Sequence, residues 1–162
     1  MKALYAAQGA VSSRPDVATR IAGHSAPVAG RAWERTIVGG FYLAMGGVHL
    51  GLVAARPEVY RHFADHGLFG FVVAGWRDVF MAAPAFWGLC LMAGEIALGT
   101  ALLLGGWPAR VAWLGVIGFH MLLMLFGFGF WLWSVPAIAV LVWLAVRDER
   151  RRTGPRSDPA RP

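Results

Sequence analysis

Four long apolar stretches, separated by breaks rich in polar residues, Pro and Gly, dominate the pattern of hydrophobic and polar positions. The first, residues 36–55, carries no formal charge and has the length that an α-helix needs to cross the hydrocarbon core of a bilayer. Pro57 closes it, because a proline disfavours helical geometry in the residue before it. With residues 84–104, 109–126 and 130–146, the pattern predicts four membrane-spanning helices.

The long segment between the first two spans, residues 57–83, is predicted to be partly structured. Its beginning, PEVYRHFADHG, has Pro57 in a first turn and Gly67 as a stop, with an apolar stripe formed by Val59, Tyr60 and Phe63 on one side. This pattern is typical of a short helix on the membrane surface, so we expect an interfacial helix in this first outer loop. The next residues, 68–75, are apolar but too short to span, which favours an interfacial or re-entrant segment.

Small residues four positions apart indicate where the first two spans meet. Gly47 and Gly51 form a GxxxG pair in the first span, and Ala93 and Ala97 are a looser equivalent in the second. Such pairs let two helix backbones approach closely. We expect the spans to pack there, although a chain this rich in glycine also produces the spacing by chance.

Composition agrees with a membrane protein. Apolar residues make up 57% of the chain and the mean hydropathy is +0.54, whereas soluble domains are typically about 45–50% apolar. The net charge of +6 would elsewhere suggest nucleic-acid binding, but the basic residues flank the apolar spans, so we expect a lipid bilayer and no nucleic acid as partner. The strong preference for Arg over Lys suggests a bacterial genome rich in GC, and hence the bacterial inner (plasma) membrane.

The distribution of positive charge predicts the orientation. With both termini in the cytoplasm, the inner segments hold twelve basic residues and the outer loops hold three. The inner ones are Lys2, Arg14, Arg20, Arg31, Arg35, Arg110, Arg147, Arg150, Arg151, Arg152, Arg156 and Arg161, and the outer ones Arg56, Arg61 and Arg77. This bias follows the positive-inside rule. The expected fold class is therefore an all-α integral membrane four-helix bundle, N-in/C-in.

Three regions follow from these assignments. Residues 1–34 are expected to form a flexible cytoplasmic tail, residues 35–146 the four-helix membrane domain, and residues 147–162 a basic, disordered cytoplasmic tail.

Glu95 is the most informative residue for function, because a carboxylate in the middle of a membrane helix is costly unless it is protonated or paired. At about 1.5 Å of rise per residue, Glu95 and His120 lie about 15–17 Å from the inner edge of the membrane. By the same estimate Ser134 lies near ~18 Å and His49 near ~20 Å. The sequence therefore predicts a polar layer to which each span contributes one residue.

Several chemistries suit such a layer. A carboxylate and imidazoles can bind a divalent metal, and two histidines on different helices can hold a haem iron. They can also relay protons or hydrogen-bond a quinone. His62 and His66, four residues apart in the loop, are a weaker candidate pair of metal ligands, and two solvated surface histidines explain the spacing equally well. No metal or cofactor motif is evident in the sequence, and a packing role for Glu95 stays open.

The segment GEIALGTALLLGGWPARVAWLG, residues 94–115, resembles the DoxX-like family of small four-helix membrane proteins. The shared features are a Glu in the second helix, a tight Gly-rich turn and a basic residue that opens the third helix. The first span with its long loop also fits, so the resemblance covers residues 35–146. It implies a component or partner of a redox-linked membrane complex, with a membrane or soluble redox protein as partner. Of the candidate residues, only Glu95 matches a family position.

Three functional hypotheses stay open at this point. The first is a DoxX-like component of a redox-linked complex that exchanges electrons with quinone. The second is a small proton-coupled transporter in which Glu95 and His120 are protonated in turn. The third is a membrane enzyme that acts on a lipid-soluble substrate, so whether the chain is itself an enzyme is undecided.

Overall fold

The structure, a computed structural model, describes residues 32–154 and contains helices and no strand within that range. The α-helices are α1 (Trp33–Ala55), α2 (Gly70–Gly75), α3 (Pro84–Leu104), α4 (Gly106–Leu123) and α5 (Phe128–Thr153). They are joined by 3-10 helices at Pro57–Ala64 and Met124–Phe126 and by a π-helical turn at Trp76–Phe80. Helices α1, α3, α5 and α4 with its extension to Phe126 are each long and apolar enough to cross a membrane.

The sides of these four helices are largely uncovered. Between 17% and 28% of the most apolar window of each helix is buried inside the protein. Leu132 and Leu114 are 85% and 74% exposed, and large apolar side chains of this kind are stable against lipid and unfavourable in water. The helices together therefore indicate a multi-pass membrane protein, as the sequence predicts.

The helices alternate in direction, which gives the bundle two distinct ends. We call the end that carries the first residue of α1 and the last turns of α5 the tail end, and the end that carries the segment between α1 and α3 the loop end. A buried core lies nearer the tail end and draws on all four long helices. Its members are Val38, Tyr42, Leu102, Ala109, Ala112, Trp113, Val116, Leu141 and Leu144.

Helices α1 and α3 make the closest helix pair, and glycines set the distance. A Cβ on Gly99 would lie 2.7 Å from the Gly39 carbonyl oxygen, so the two backbones touch at this point. A Cβ on Gly46 would lie 2.8 Å from the Ile96 side chain. Gly39 and Gly46 are two helical turns apart and so share one face of α1.

The expected packing surface at Gly47 and Gly51 was therefore wrong. Within the described range, no atom lies within 4 Å of a Cβ built on either glycine. Ala93 and Ala97 of α3 are exposed as well. The GxxxG pair lies on the uncovered side of α1, whereas the contact with α3 uses Gly46, one residue before Gly47, and Gly39, eight residues before it.

Helix α5 continues past its predicted end. Residues 147–153 were expected to begin a disordered tail, but they form the last two turns of α5 and Asp148 is buried. Their charges are matched by acidic residues and by a backbone carbonyl, since Arg152 Nη1 donates to the Gly106 oxygen at 2.6 Å. Trp33 and Glu34, placed in the first tail, belong to α1. The tail predictions for residues 1–31 and 155–162 lie outside the described residues.

The loop segment folds back onto the loop end of the bundle. The helix expected after Pro57 is the 3-10 helix Pro57–Ala64, and its residues Tyr60 and Ala64 are buried. The amide of Leu68 donates to the Leu125 carbonyl at 2.9 Å, which ties the segment to the end of α4. The apolar residues 68–75 contain the short helix α2, none of whose residues is buried.

Candidate functional site

Six polar or charged side chains are buried in the described part of the chain, and they fall into two groups. Glu34 and Asp148 lie at the tail end. His49, Glu95, His120 and Ser134 are the four residues that the sequence predicts to form a layer. Buried polar groups need partners to offset their lost hydration, so the contacts of each group indicate what it does.

His49 connects Glu95, another of the predicted residues, with Tyr60, which the prediction missed. Its Nε2 lies 3.5 Å from Glu95 Oε1, which joins α1 to α3. Its Nδ1 lies 2.6 Å from the Tyr60 hydroxyl oxygen, a short hydrogen bond to the 3-10 helix of the loop. Tyr60, His49 and Glu95 therefore form a continuous polar chain from the loop end into the bundle, which we call the proton chain.

The loop places Tyr60 by close packing. The Tyr60 ring stacks on the His49 ring at an interplanar angle of 12° and meets the Phe80 ring edge-on. The Trp76 indole N–H donates to the Tyr60 carbonyl at 2.7 Å. Gly88 of α3 leaves the space for the phenol, since a Cβ there would lie 3.1 Å from the Tyr60 hydroxyl oxygen.

Tyr60 is fully buried although it is a loop residue. Sequence reasoning assigned it to the apolar stripe of a surface helix and so missed its hydroxyl group. The available signal was the short connection: His49 and Tyr60 are separated by eleven positions, of which the last few are a proline-initiated turn. A chain this short has to fold back against the end of α1.

The chemistry of the proton chain follows from its members. Burial raises the pKa of the Tyr60 phenol, and the nearby Glu95 carboxylate raises it further. Tyr60 therefore keeps its proton at neutral pH and can donate it to Nδ1 of a neutral His49. The Nε2–H of the same ring then faces Glu95. An imidazolium fits the same positions, with the phenol oxygen as acceptor, so His49 can gain or lose a proton without leaving its partners.

One carboxylate oxygen of Glu95 is free to accept a hydrogen bond within the described residues. Its side chain is 4% exposed, and Oε2 has no hydrogen-bond partner in residues 32–154. A buried carboxylate oxygen without a partner is costly, so this atom is suited to hold a proton or to bond a polar group of a ligand.

His120 and Ser134 are buried but are not joined to the proton chain. His120 Nδ1 and Ser134 Oγ have no hydrogen-bond partner among the side chains that the structure describes. The depth estimate placed them in the same layer as Glu95, but depth says nothing about which way a side chain faces around its helix. The structure brings together His49 and Glu95, and it leaves the other two as separate buried polar groups.

The described residues contain no group of three or more His, Cys, Asp or Glu side chains that could hold a metal ion. His62 and His66 are exposed, and His62 Nδ1 pairs with Asp65 Oδ2 at 2.9 Å. Both ring nitrogens of His49 already face partners, so ligating a haem iron would require His49 to give up Glu95 or Tyr60.

The tail end holds a second polar cluster that the sequence did not predict. The buried Glu34 Oε1 lies 3.0 Å from Arg147 Nε and 3.3 Å from Arg151 Nε. The buried Asp148 lies 3.2 Å from Arg35 Nε, pairs with Arg152, and accepts the Trp113 indole N–H at 3.1 Å. These contacts fasten the first turn of α1 to the last turns of α5. The signal in the sequence was the presence of acidic residues inside two arginine-rich flanks.

Comparison with family models, curated proteins and solved structures finds no match for this chain.

Proposed function

We propose that this protein is a DoxX-like integral membrane component of a redox-linked complex, in which the proton chain moves the proton that accompanies electron transfer to or from a quinone. The observation that supports this proposal is the uninterrupted contact of three proton-exchanging groups, Tyr60, His49 and Glu95, inside an apolar bundle. Such groups are expensive to bury in a membrane, which favours a functional reason for their presence.

A quinone supplies redox chemistry that consumes or releases protons together with electrons. The free Oε2 of Glu95 is suited to hydrogen-bond a quinone oxygen and to hold the proton that this oxygen exchanges. His49, as the imidazolium, then gives its Nε2 proton to the Glu95 carboxylate and becomes neutral. It regains a proton from the loop end of the bundle, where Tyr60 orients the imidazole through Nδ1. A partner oxidoreductase supplies or accepts the electrons, in keeping with the family resemblance.

The topology that goes with this proposal is a bacterial plasma-membrane protein with both termini in the cytoplasm. The positive-inside rule supports it, because among the described residues six arginines lie at the tail end and three at the loop end. The 3-10 helix Pro57–Ala64 then lies at the outer interface, and the Tyr60 end of the proton chain faces the outer side of the membrane.

The proposal is tested by replacing Glu95 with an uncharged isostere. Membranes from a deletion strain, complemented with wild-type protein or with Glu95→Gln, are assayed for quinone reduction by the partner complex. We expect Glu95→Gln to insert and fold but to lose at least about a hundredfold in rate, the lower end of the range for loss of a proton-transfer group. Glu58→Gln is the matched control, because Glu58 is exposed on the loop helix.

A normal rate with Glu95→Gln at wild-type protein levels contradicts an essential role for the carboxylate. Bound quinone is also extracted from the purified protein and quantified. We expect the wild type to retain quinone and Glu95→Gln to retain less. A rate of quinone reduction that falls equally with Glu58→Gln shows instead that the fold of the loop, and not ionisation of Glu95, determines this rate.

A second candidate, a small proton-coupled carrier, draws on the same observation, because the proton chain leads from the loop end of the bundle to the buried Glu95. It differs in its readout. Purified protein in liposomes with an enclosed pH-sensitive dye would then dissipate an imposed pH gradient only when a transported solute is present. Gradient-driven uptake that Glu95→Gln abolishes, without any quinone-linked activity, favours the carrier over the redox component.

A further inference from the structure

A groove at the tail end of α5 is lined by a combination of basic and apolar residues that the proton chain does not use. This groove, which we call the basic groove, has a volume of about 400 Å³. It is lined by Trp143, Val146, Arg147, Arg150 and Arg151. These positions recur at three- and four-residue spacing, so they share one face of the helix. The apolar members lie on the side toward the middle of the helix and the basic members toward its end.

Positive charge exceeds negative charge in this groove. Beneath it, the fully buried Glu34 faces the Nε atoms of Arg147 and Arg151. Those two side chains remain 41% and 48% exposed, which keeps their outer guanidinium nitrogens accessible. Arg150 is exposed and has no ion pair within the range that the structure covers. Three arginines therefore share a single carboxylate, which leaves the groove with a net positive charge.

Aromatic rings hold one of the arginines in place. The guanidinium carbon of Arg147 lies 5.4 Å from the Trp33 ring centre and 5.3 Å from that of Trp143. A cation held between two indole rings and a buried carboxylate loses little further freedom when it binds an anion. The groove is therefore partly organised before a ligand arrives.

We propose that the basic groove binds the phosphate headgroup of an anionic phospholipid, with an acyl chain lying along Trp143 and Val146. Guanidinium groups bind phosphate through paired charge-assisted hydrogen bonds, and basic pockets beside membrane helices suit anionic headgroups. Trp143 and Val146 are 55% and 45% exposed, so the apolar side of the groove is accessible from the side of the helix bundle, where lipid chains lie. A free phosphate ion fills only the basic side and leaves that apolar surface uncovered.

The occupant is identified by native mass spectrometry of the full-length protein, transferred from detergent after incubation with phosphatidylglycerol, phosphatidylcholine or inorganic phosphate. We expect retention of phosphatidylglycerol over phosphatidylcholine and a rise in melting temperature with phosphatidylglycerol only. The Arg150→Gln variant should weaken this binding about fivefold, since a basic residue near an anionic surface contributes about that factor. It leaves both ion pairs of Glu34 in place.

The double variant Arg56→Gln/Arg77→Gln is the control, because it removes two exposed arginines at the loop end. We expect it to bind phosphatidylglycerol like the wild type. Equal retention of phosphatidylcholine, or unchanged binding by Arg150→Gln, overturns the proposal. Equal stabilisation by inorganic phosphate overturns the lipid as the occupant and leaves a small-anion site. None of these outcomes depends on the function of Glu95.

Discussion

At the scale of single residues, His49 carries the most consequence, because its two ring nitrogens face groups of different kinds. Nδ1 bonds the Tyr60 hydroxyl and Nε2 faces the Glu95 carboxylate, so the imidazole is fixed in its plane and in its position. Stacking on the Tyr60 ring adds a second constraint. A histidine held in this way can change its protonation state with little rearrangement.

The Tyr60→Phe variant tests how much this hydrogen bond stabilises the protein. It removes the hydroxyl group and leaves the buried Nδ1 of His49 without its partner, which costs about 1–3 kcal/mol. We expect a lower melting temperature in detergent. Tyr42→Phe is the control, since the Tyr42 hydroxyl is also buried but makes only a 3.4 Å contact with the Val116 carbonyl. Equal losses in both variants would contradict a special role for the Tyr60 hydroxyl.

At the scale of helices, close backbone contact between α1 and α3 is what brings His49 and Glu95 together. Gly39 and Gly99 let the two backbones touch, and without a strong hydrophobic force between helices in lipid, such packing is a main source of association. The GxxxG pair Gly47 and Gly51 on the same helix faces away from α3 and contributes nothing to the contact.

The Gly99→Ala variant should therefore separate the two helices. Its Cβ meets the rigid backbone carbonyl of Gly39, and overpacking of this kind costs about 1–3 kcal/mol. Gly94→Ala, five residues earlier on open surface, should be neutral or slightly stabilising. The melting temperatures of the two variants in detergent give the comparison. A Gly99→Ala protein as stable as Gly94→Ala would mean that α1 and α3 are farther apart than described.

At the scale of the whole molecule, the tail-end cluster fastens the beginning of the membrane domain to its end. Asp148 is nearly inaccessible and faces Arg35 of α1, Arg152 of α5 and the Trp113 indole of α4. Three helices are thereby tied at one buried carboxylate. Glu149, the next residue, makes a pair of hydrogen bonds with Arg110, but that pair is exposed.

The neighbouring carboxylates provide a matched test. Asp148→Asn removes a buried charge that two arginines share, and since those arginines are partly exposed we expect a loss of about 2 kcal/mol, below the range for fully buried pairs. Glu149→Gln should cost no more than about 1 kcal/mol, because exposed ion pairs are screened by water. Denaturation in detergent measures both. A larger effect of Glu149→Gln would contradict the assignment of Asp148 as the buried centre.

The orientation of the whole chain is tested by labelling in intact cells. In a Cys90→Ala background, Asp65→Cys and Thr153→Cys are treated with a membrane-impermeant maleimide. We expect labelling of Asp65→Cys in intact cells and of Thr153→Cys only after permeabilisation, as positive-inside topology requires. The opposite pattern reverses the orientation, and labelling of both positions in intact cells contradicts four spans.

More of the fold than of the candidate site could be predicted from the sequence. The existence, number and approximate ends of the four long helices follow from sustained apolar runs, because crossing a bilayer requires both length and the absence of charge. Glu95 also follows from the sequence, since a carboxylate within such a run is exceptional. Glu34 and Asp148 did not, because each is buried by contacts with residues far away in the chain. Tyr60 did not, because its burial depends on how the loop packs against α1 and α3.

The sequence by itself thus determined the element lengths and the intramembrane carboxylate, since both depend on properties local to each span. Only the tertiary structure decided the partners: which glycines touch, that His49 and not His120 meets Glu95, and that the arginine-rich end of α5 continues as helix. The physical reason is rotation. A residue's depth follows from counting along its helix, but its facing direction is set by how the helices pack against one another.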